Sequence, residues 1–285
     1  MSETSTETDY EIRFAIDPAT AAAMDTRELR ESFLIEDLFG PDMVGWTYTH
    51  YERLAVGSAV PVKEALRLEA IKPTGTVNFL DRRELIAVNI GGKGTITADG
   101  ELFSLEHRDM AYLGMGTKDV VFASENGSAP AKFYLLSAPA HQTYKSMLIS
   151  VSDAKRLDLG APETCNERSI FQFIHPDGAR TCQLVVGMTT FAAGSVWNTM
   201  PCHVHDRRAE AYLYFDLDEK ARVVHLMGEP DETRHLIVAN EEAILSPAWS
   251  IHSGVGTARY TFVWAMAGDN VDYTDVDPVA IEDLR

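Results

Sequence analysis

The sequence predicts an all-β protein built as two barrel-like copies with a few short helices, and three observations carry that reading. Beyond Gly40 the 285-residue chain breaks into short runs rich in β-branched and aromatic residues, separated by Gly, Pro, Asp and Asn. Short strands at even spacing fit an antiparallel sandwich or barrel. The segment FLDRRELIAVNI (79–90) is echoed by VHDRRAEAYLYF (204–215), and EHRDMAYLGMG (106–116) more loosely by NEEAILSPAWS (240–250). A duplicated unit is the simplest account of both echoes. Hydrophobic residues make up 45% and charged residues 24%, enough apolar material for a sizeable core.

The elements follow in chain order. MSETSTETDYEIRF is polar and acidic, lacks the basic start and apolar centre of a leader, and reads as a frayed tail. DTRELRESFLIEDLF is a helix with Asp25 as N-cap and Glu28 three residues on, the capping-box arrangement. TITADGELFSL is a hairpin, since Asp99-Gly100 suits the positive φ angles of a tight turn. VVFAS, KFYLL, CQLVVGMTTF, EAYLYFDL, RVVHLM, HLIVA and YTFVWAM read as strands. The stretch SVSDAKRLDLGAPET reads as the connector, which divides the chain into a first barrel (1–150) and a second (151–285).

Charge and cysteine usage exclude several classes. The balance of 43 acidic against 25 basic residues gives a net charge of −18, which repels phosphate backbones and excludes nucleic-acid and anionic-membrane partners. An acidic substrate would then need local arginines. No run approaches the roughly 20 apolar residues of a membrane span. Cys165, Cys182 and Cys202 form no CxxC and no even set, so neither a disulfide framework nor a cysteine zinc site is indicated and a cytoplasmic location is expected.

The chemistry concentrates in MPCHVHDRRAEAYLYF (200–215). In an extended strand His203 and His205 share a face, and Cys202 takes the other as a packing residue. An isolated HxH is as well explained by two surface or core histidines. Here DRRA reads as a turn, after which Glu210, Tyr212 and Tyr214 share one face and Ala211, Leu213, Phe215 and Leu217 the other. Glu210 can therefore return beside the histidines. His252, at the end of an apolar run and followed by glycines, is a fourth candidate. Three imidazoles and a carboxylate suit Zn²⁺, and Fe²⁺, Mn²⁺, Ni²⁺ or Co²⁺ on the same donors. His175, His225 and His235 lack ligand spacing and read as structural, while His107 and His141 fall in the copy without the motif.

HxH-x4-E followed by Pro-x-Trp-x-x-His resembles the two cupin motifs, whose ligands fall on His203, His205, Glu210 and His252. The longer segments WNTMPCHVHDRRAEAYLYF, MGEPDETRHLIVANEEAILSPAWSIHSGVGT and FLDRRELIAVNIGGKGTITADGELFSLEHRDMAYLGMG resemble the 5-keto-4-deoxyuronate isomerases (4-deoxy-L-threo-5-hexosulose-uronate ketol-isomerases) of pectin breakdown. The likeness runs from about Met24 to the C-terminal VAIEDLR and leaves out the acidic first residues. It implies a double cupin, one Zn²⁺ per chain in the second barrel, a hexamer, and an aldose–ketose isomerisation. The apolar strand face at Ala211, Leu213, Phe215 and Leu217 is expected to lie outside and to serve assembly.

Proton transfer then needs a carrier, for which Tyr212 and Tyr214 compete with a barrel-lining role. The substrate carboxylate needs a guanidinium, with Arg207, Arg208 and Arg234 as candidates and surface ion pairs as their alternative. Asn198 and Thr199 precede the metal strand and are candidates for binding hydroxyls, or serve a turn. Two other classes share such ligands: a cupin metal dioxygenase, and a non-catalytic sugar-binding bicupin.

Overall fold

A computed structural model describes residues 8–175, 178–269 and 275–285. The chain forms two compact units. One comprises the described residues up to Arg13 with Leu38–Asp153, the other Phe14–Asp37 with Ala154–Arg285. The division near residue 150 thus falls at Asp153, but residues 14–37 join the second unit instead of the first. The reason is long-range pairing. Leu34 and Ile35 form a strand against Ile244 and Ala243, and the Phe33 ring meets Trp249 edge-on at 6.3 Å.

Each unit is a seven-stranded sheet with a four-stranded sheet. In the first, the large sheet runs 9–13, 44–49, 55–59, 133–139, 83–89, 110–113, 147–149, and the small one 66–67, 120–124, 94–98, 101–105. In the second, the orders are 155–159, 168–174, 185–191, 261–268, 208–215, 242–246, 34–35, and 197–198, 253–256, 223–229, 232–238. Position by position the central strands correspond, and the two Asp-Arg-Arg segments, Arg83–Asn89 and Arg208–Phe215, occupy the same place. The double-cupin architecture expected from the sequence is what the chain adopts.

Local signals explain the elements they mark. Asp25 accepts from the Glu28 amide at 2.8 Å and the Glu28 side chain from the Asp25 amide at 2.9 Å, completing the capping box of Thr26–Phe33. Asp99 (φ 47°) and Gly100 (φ 86°) turn Gly94–Ala98 into Glu101–Leu105. The N-terminal reading needs correction: residues 1–7 lie outside the described set, but Asp9–Arg13 is a strand parallel to Val44–Thr49. Glu11 there accepts from Thr47 at 2.8 Å, and Tyr10 packs on the core.

The two interiors differ where the chemistry differs. In the first barrel Leu85 stands opposite Leu113, two residues after the buried Arg83. In the second Glu210 stands opposite Ser246, two residues after the buried Arg208. Leu85 belongs to a continuous apolar cluster with Ile96, Phe122 and Phe133, so hydrocarbon occupies the place in the first unit that Glu210 takes in the second. Arg83 is satisfied at its rim by Ser137, at 3.0 and 2.7 Å, and by the Arg53 carbonyl at 2.8 Å. Burial lowers its pKa to about 10, which still leaves it charged.

Ala211, Leu213, Phe215 and Leu217 are already buried within one chain, at 0%, 0%, 1% and 5% exposure. That strand face is therefore spent on the fold and offers no surface for assembly.

Candidate metal centre

Four segments bring the site together. His203–Val204 pairs with Asp277–Pro278, and the His205 amide donates to the Ala248 carbonyl at 3.1 Å. The strand opens at Arg208, so only Asp206 and Arg207 of the expected DRRA turn lie outside it. Glu210 faces Met266 on one side and Ser246 on the other. The apolar strand Glu242–Ser246 stops before Pro247, a turn closes from the Ser250 amide to the Pro247 carbonyl at 3.0 Å, and His252 leads into Ser253–Gly256 rather than ending the preceding strand. Gly254 is required there, because a Cβ would sit 2.9 Å from Asn198 Nδ2 and 3.0 Å from the Tyr214 hydroxyl.

The donor atoms of His203, His205, Glu210 and His252 all lie within 4.8 Å of one another. Glu210 Oε2 is 3.1 Å from His205 Nε2 and 3.0 Å from His252 Nε2, and His252 Nε2 is 2.9 Å from His203 Nε2. Such spacings leave a common centre for one ion. The other ring nitrogens are held from behind. His252 Nδ1 faces Ser246 Oγ at 3.4 Å, and His205 Nδ1 faces the Asp275 carbonyl at 3.3 Å. A proton on each Nδ1 leaves each Nε2 lone pair for a metal. Arg208 Nε also lies 3.3 Å from His205 Nδ1. His205 Nδ1 therefore has two alternative partners, accepting from Arg208 Nε in one tautomer and donating to the Asp275 carbonyl in the other, the one that frees Nε2 for a metal; Arg208 Nη2 donates to the same carbonyl.

Electrostatics prepare the same state. Burial raises the Glu210 carboxyl, but the His252 and His205 rings outweigh it and hold it below the usual carboxylate range. Burial, with the neighbouring His252, lowers His203 to about 3. An ionised Glu210 carboxylate beside a neutral His203 imidazole is a form in which such groups ligate. The donor set therefore fits a divalent ion, and it is the one such cluster among the described residues.

A cavity of about 360 Å³ opens on the cluster, walled by Ile170, Thr189, Thr199, Tyr212, Phe262, Trp264 and Met266, with Arg168 also on its wall. Its Trp264 wall depends on Gly187, where a Cβ would come within 2.0 Å of the indole. Tyr212 Oη lies 3.3 Å from Thr199 Oγ1, and its ring meets His252 edge-on at 5.5 Å.

Several expected residues lie elsewhere. Tyr214 is sealed beneath the cavity with its hydroxyl 2.8 Å from His225 Nδ1, and burial pushes its pKa well up. Asn198 is buried, holding Tyr260 Oη at 2.7 Å. Arg207 is half exposed and ion-paired with Asp275 at 2.6 Å. Arg234 donates to the carbonyls of Ala22 and Met24 at the end of the helix Pro18–Ala23, including 2.6 Å to Met24. None of these four lines the cavity. Ser246, Asp275 and Arg168 escaped the sequence reading because distant strands and chain segments bring them in.

Residues 40–280 match the model of the KduI/IolB family. The chain belongs to this family. Its relatives include a 4-deoxy-L-threo-5-hexosulose-uronate ketol-isomerase 2 of Rhizobium meliloti (strain 1021), 67% identical over 99% of this chain and 100% of that one. The match reaches into the N-terminal residues that the motif resemblance left out. Among solved structures, an IolB-like protein of Salmonella typhimurium LT2 covers 76% of this chain and 84% of its own at 18% identity and a TM-score of 0.63. An oxalate decarboxylase of Lactobacillus farciminis covers 80% and 79% at 10% identity and a TM-score of 0.56. These two likenesses concern the fold. A further histidine of the second unit, His225, is fully buried beside the cluster and lowered to about 3 by burial and by His252.

The metal-stripped protein is expected to lose stability in mild acid. Below the ordinary imidazole value of 6.5 the unfolded chain protonates His203 and His225, while the folded chain resists until about 3. Unfolding then takes up protons, and stability falls by up to about 1.4 kcal/mol per pH unit for each group. Urea midpoints of stripped protein from pH 7 to pH 5 test this, and a flat profile contradicts it.

Proposed function

We propose that this chain is a metal-dependent ketol-isomerase that converts 5-dehydro-4-deoxy-D-glucuronate to 3-deoxy-D-glycero-2,5-hexodiulosonate, a step in uronate breakdown. The observation that carries the reading is the convergence of His203, His205, Glu210 and His252 on a sugar-sized cavity in a chain 67% identical to a named uronate ketol-isomerase. The donor set favours Zn²⁺, one per chain. When bound, such an ion supplies Lewis acidity toward the aldehyde and its neighbouring hydroxyl.

The isomerisation is balanced within the substrate. A proton leaves C2 and one returns to C1, while the hydroxyl proton of O2 is exchanged for one on O1. Nothing is oxidised or reduced overall. The four ligand residues fix the reacting end, and the apolar wall of Ile170, Phe262 and Trp264 limits water. Among the described residues, Tyr212 is the titratable group on the cavity wall that is neither a ligand nor permanently charged, and its hydroxyl moves the proton, with Thr199 Oγ1 beside it. Conversion assayed with loaded and chelator-stripped protein tests the whole reading.

We further infer a homo-hexamer acting in the cytoplasm. Support comes from the sequence resemblance and from three free cysteines, suited to a reducing compartment. Light scattering at micromolar concentration is expected to give six chains, and a stable monomer would overturn the assembly.

A further inference from the structure

We propose that Arg168 reads the substrate carboxylate, gripping it at the end of the cavity remote from Glu210. The ligand's identity rests on the isomerase reading above; the choice of residue rests on how the cavity is built. Apart from the ligand histidines, Arg168 supplies the only cationic side chain among the described residues lining the cavity. A carboxylate entering this space does so on a chain of net charge −18. Burying it without a cation is costly. Arg207, Arg208 and Arg234 do not line the cavity.

Placement sets the direction in which the substrate lies. Arg168 stands opposite Phe191 in the strand pairing, whereas Glu210 stands opposite Met266, which pairs with Val185. Phe191 and Val185 are six residues apart on one strand (191 − 185), so the two groups mark opposite ends of the sheet's inner face. Ile170, Thr189, Phe262 and Trp264 form the wall between them. The uronate is similarly polar at its ends: its reacting carbons are C1 and C2, and its carboxylate is C6, roughly 6 Å away in an extended chain, so the side chains of Arg168 and of the ligands must span the rest of the roughly 20 Å that six strand residues cover. With the reacting end at the ligand cluster, the carboxylate points toward Arg168.

Arg168 is also anchored. It sits in the strand Arg168–Ile174 between Leu159 and Phe191, and its Nη1 donates to the Asn166 carbonyl at 2.9 Å. The residue further borders a surface groove with Arg156, Asp158 and Glu167, which puts it at the mouth. The sugar therefore enters reacting end first, and the carboxylate stays at the rim where a planar fork grips both oxygens.

The test compares wild type with Arg168→Met and Arg168→Lys, all metal-loaded, on the uronate and on its counterpart bearing a C6 alcohol. Arg168→Met should lower kcat/KM for the uronate about 100-fold, chiefly through KM, and Arg168→Lys about 10-fold. Activity on the alcohol should change less than about threefold, and metal content should stay at wild type. Retained preference for the uronate in Arg168→Met, or equal losses on both sugars, overturns the proposal. Should Arg168→Met fail to fold, Arg168→Lys decides by the same selective loss. If wild type converts no uronate, the isomerase reading falls, and calorimetry with glucuronate and glucose decides the role of Arg168. Glucuronate binding that wild type shows and Arg168→Met lacks upholds it; equal binding, or none in wild type, overturns it.

Discussion

Replacing His203, His205, Glu210 or His252 with alanine is expected to strip the metal and lower kcat/KM by about 10³-fold or more while the barrel stays folded. Lewis-acid assistance is worth several kcal/mol, and each 1.36 kcal/mol is tenfold in rate, so loss of about 4 kcal/mol corresponds to 10³. The site lacks spare donors: among the described residues the cluster has four members, and Ser246 and Asp275 face the distal nitrogens instead of the centre. The fold survives because the first barrel, whose interior at the equivalent place is Leu85 against Leu113, shows that the architecture needs no ion there. Metal quantification in each variant, with circular dichroism as the folding check, measures both halves. Full occupancy in a His203→Ala/His205→Ala double variant contradicts the assignment.

Tyr212→Phe is expected to lower kcat by about 10²- to 10⁴-fold, the range for removing a positioned proton carrier, with metal content and KM little changed. The ring keeps its packing against His252 and Phe262, so the variant removes only the hydroxyl that faces Thr199. Tyr214→Phe is the internal comparison. It leaves His225 Nδ1 without its 2.8 Å partner, which should cost about 1–3 kcal/mol of stability and little kcat. Stopped-flow or discontinuous kinetics on both variants separates them. Equal kcat for Tyr212→Phe and wild type would remove Tyr212 from the proton path.

What the sequence disclosed was whatever is encoded locally. Asp25 and Glu28 are three apart and make a cap wherever that helix lies. Asp99-Gly100 turns its own flanking strands. Glu210 and Tyr212 share a face through strand parity alone, and both reach the cavity. The misjudged residues are those whose role depends on a distant partner. Arg208 looked like a substrate group, but Asp275, 67 residues on, turns it into the brace for His205. Arg234 lay near the ligands in sequence and was taken up by the helix end at Ala22 and Met24, more than 200 residues earlier. Ala211, Leu213 and Phe215 alternated as an outer face should, yet they are buried in the chain's own fold.

The central claim is that this cluster holds a metal needed to isomerise a uronate. Carbon-13 NMR of 5-dehydro-4-deoxy-D-glucuronate tests it most directly, with loaded protein, chelator-stripped protein, and stripped protein given Zn²⁺ again. The expected result is the 2,5-diketo acid in the first and third samples, none in the second, and no oxygen uptake in any. Equal conversion by stripped protein, or turnover that consumes oxygen, would contradict the account.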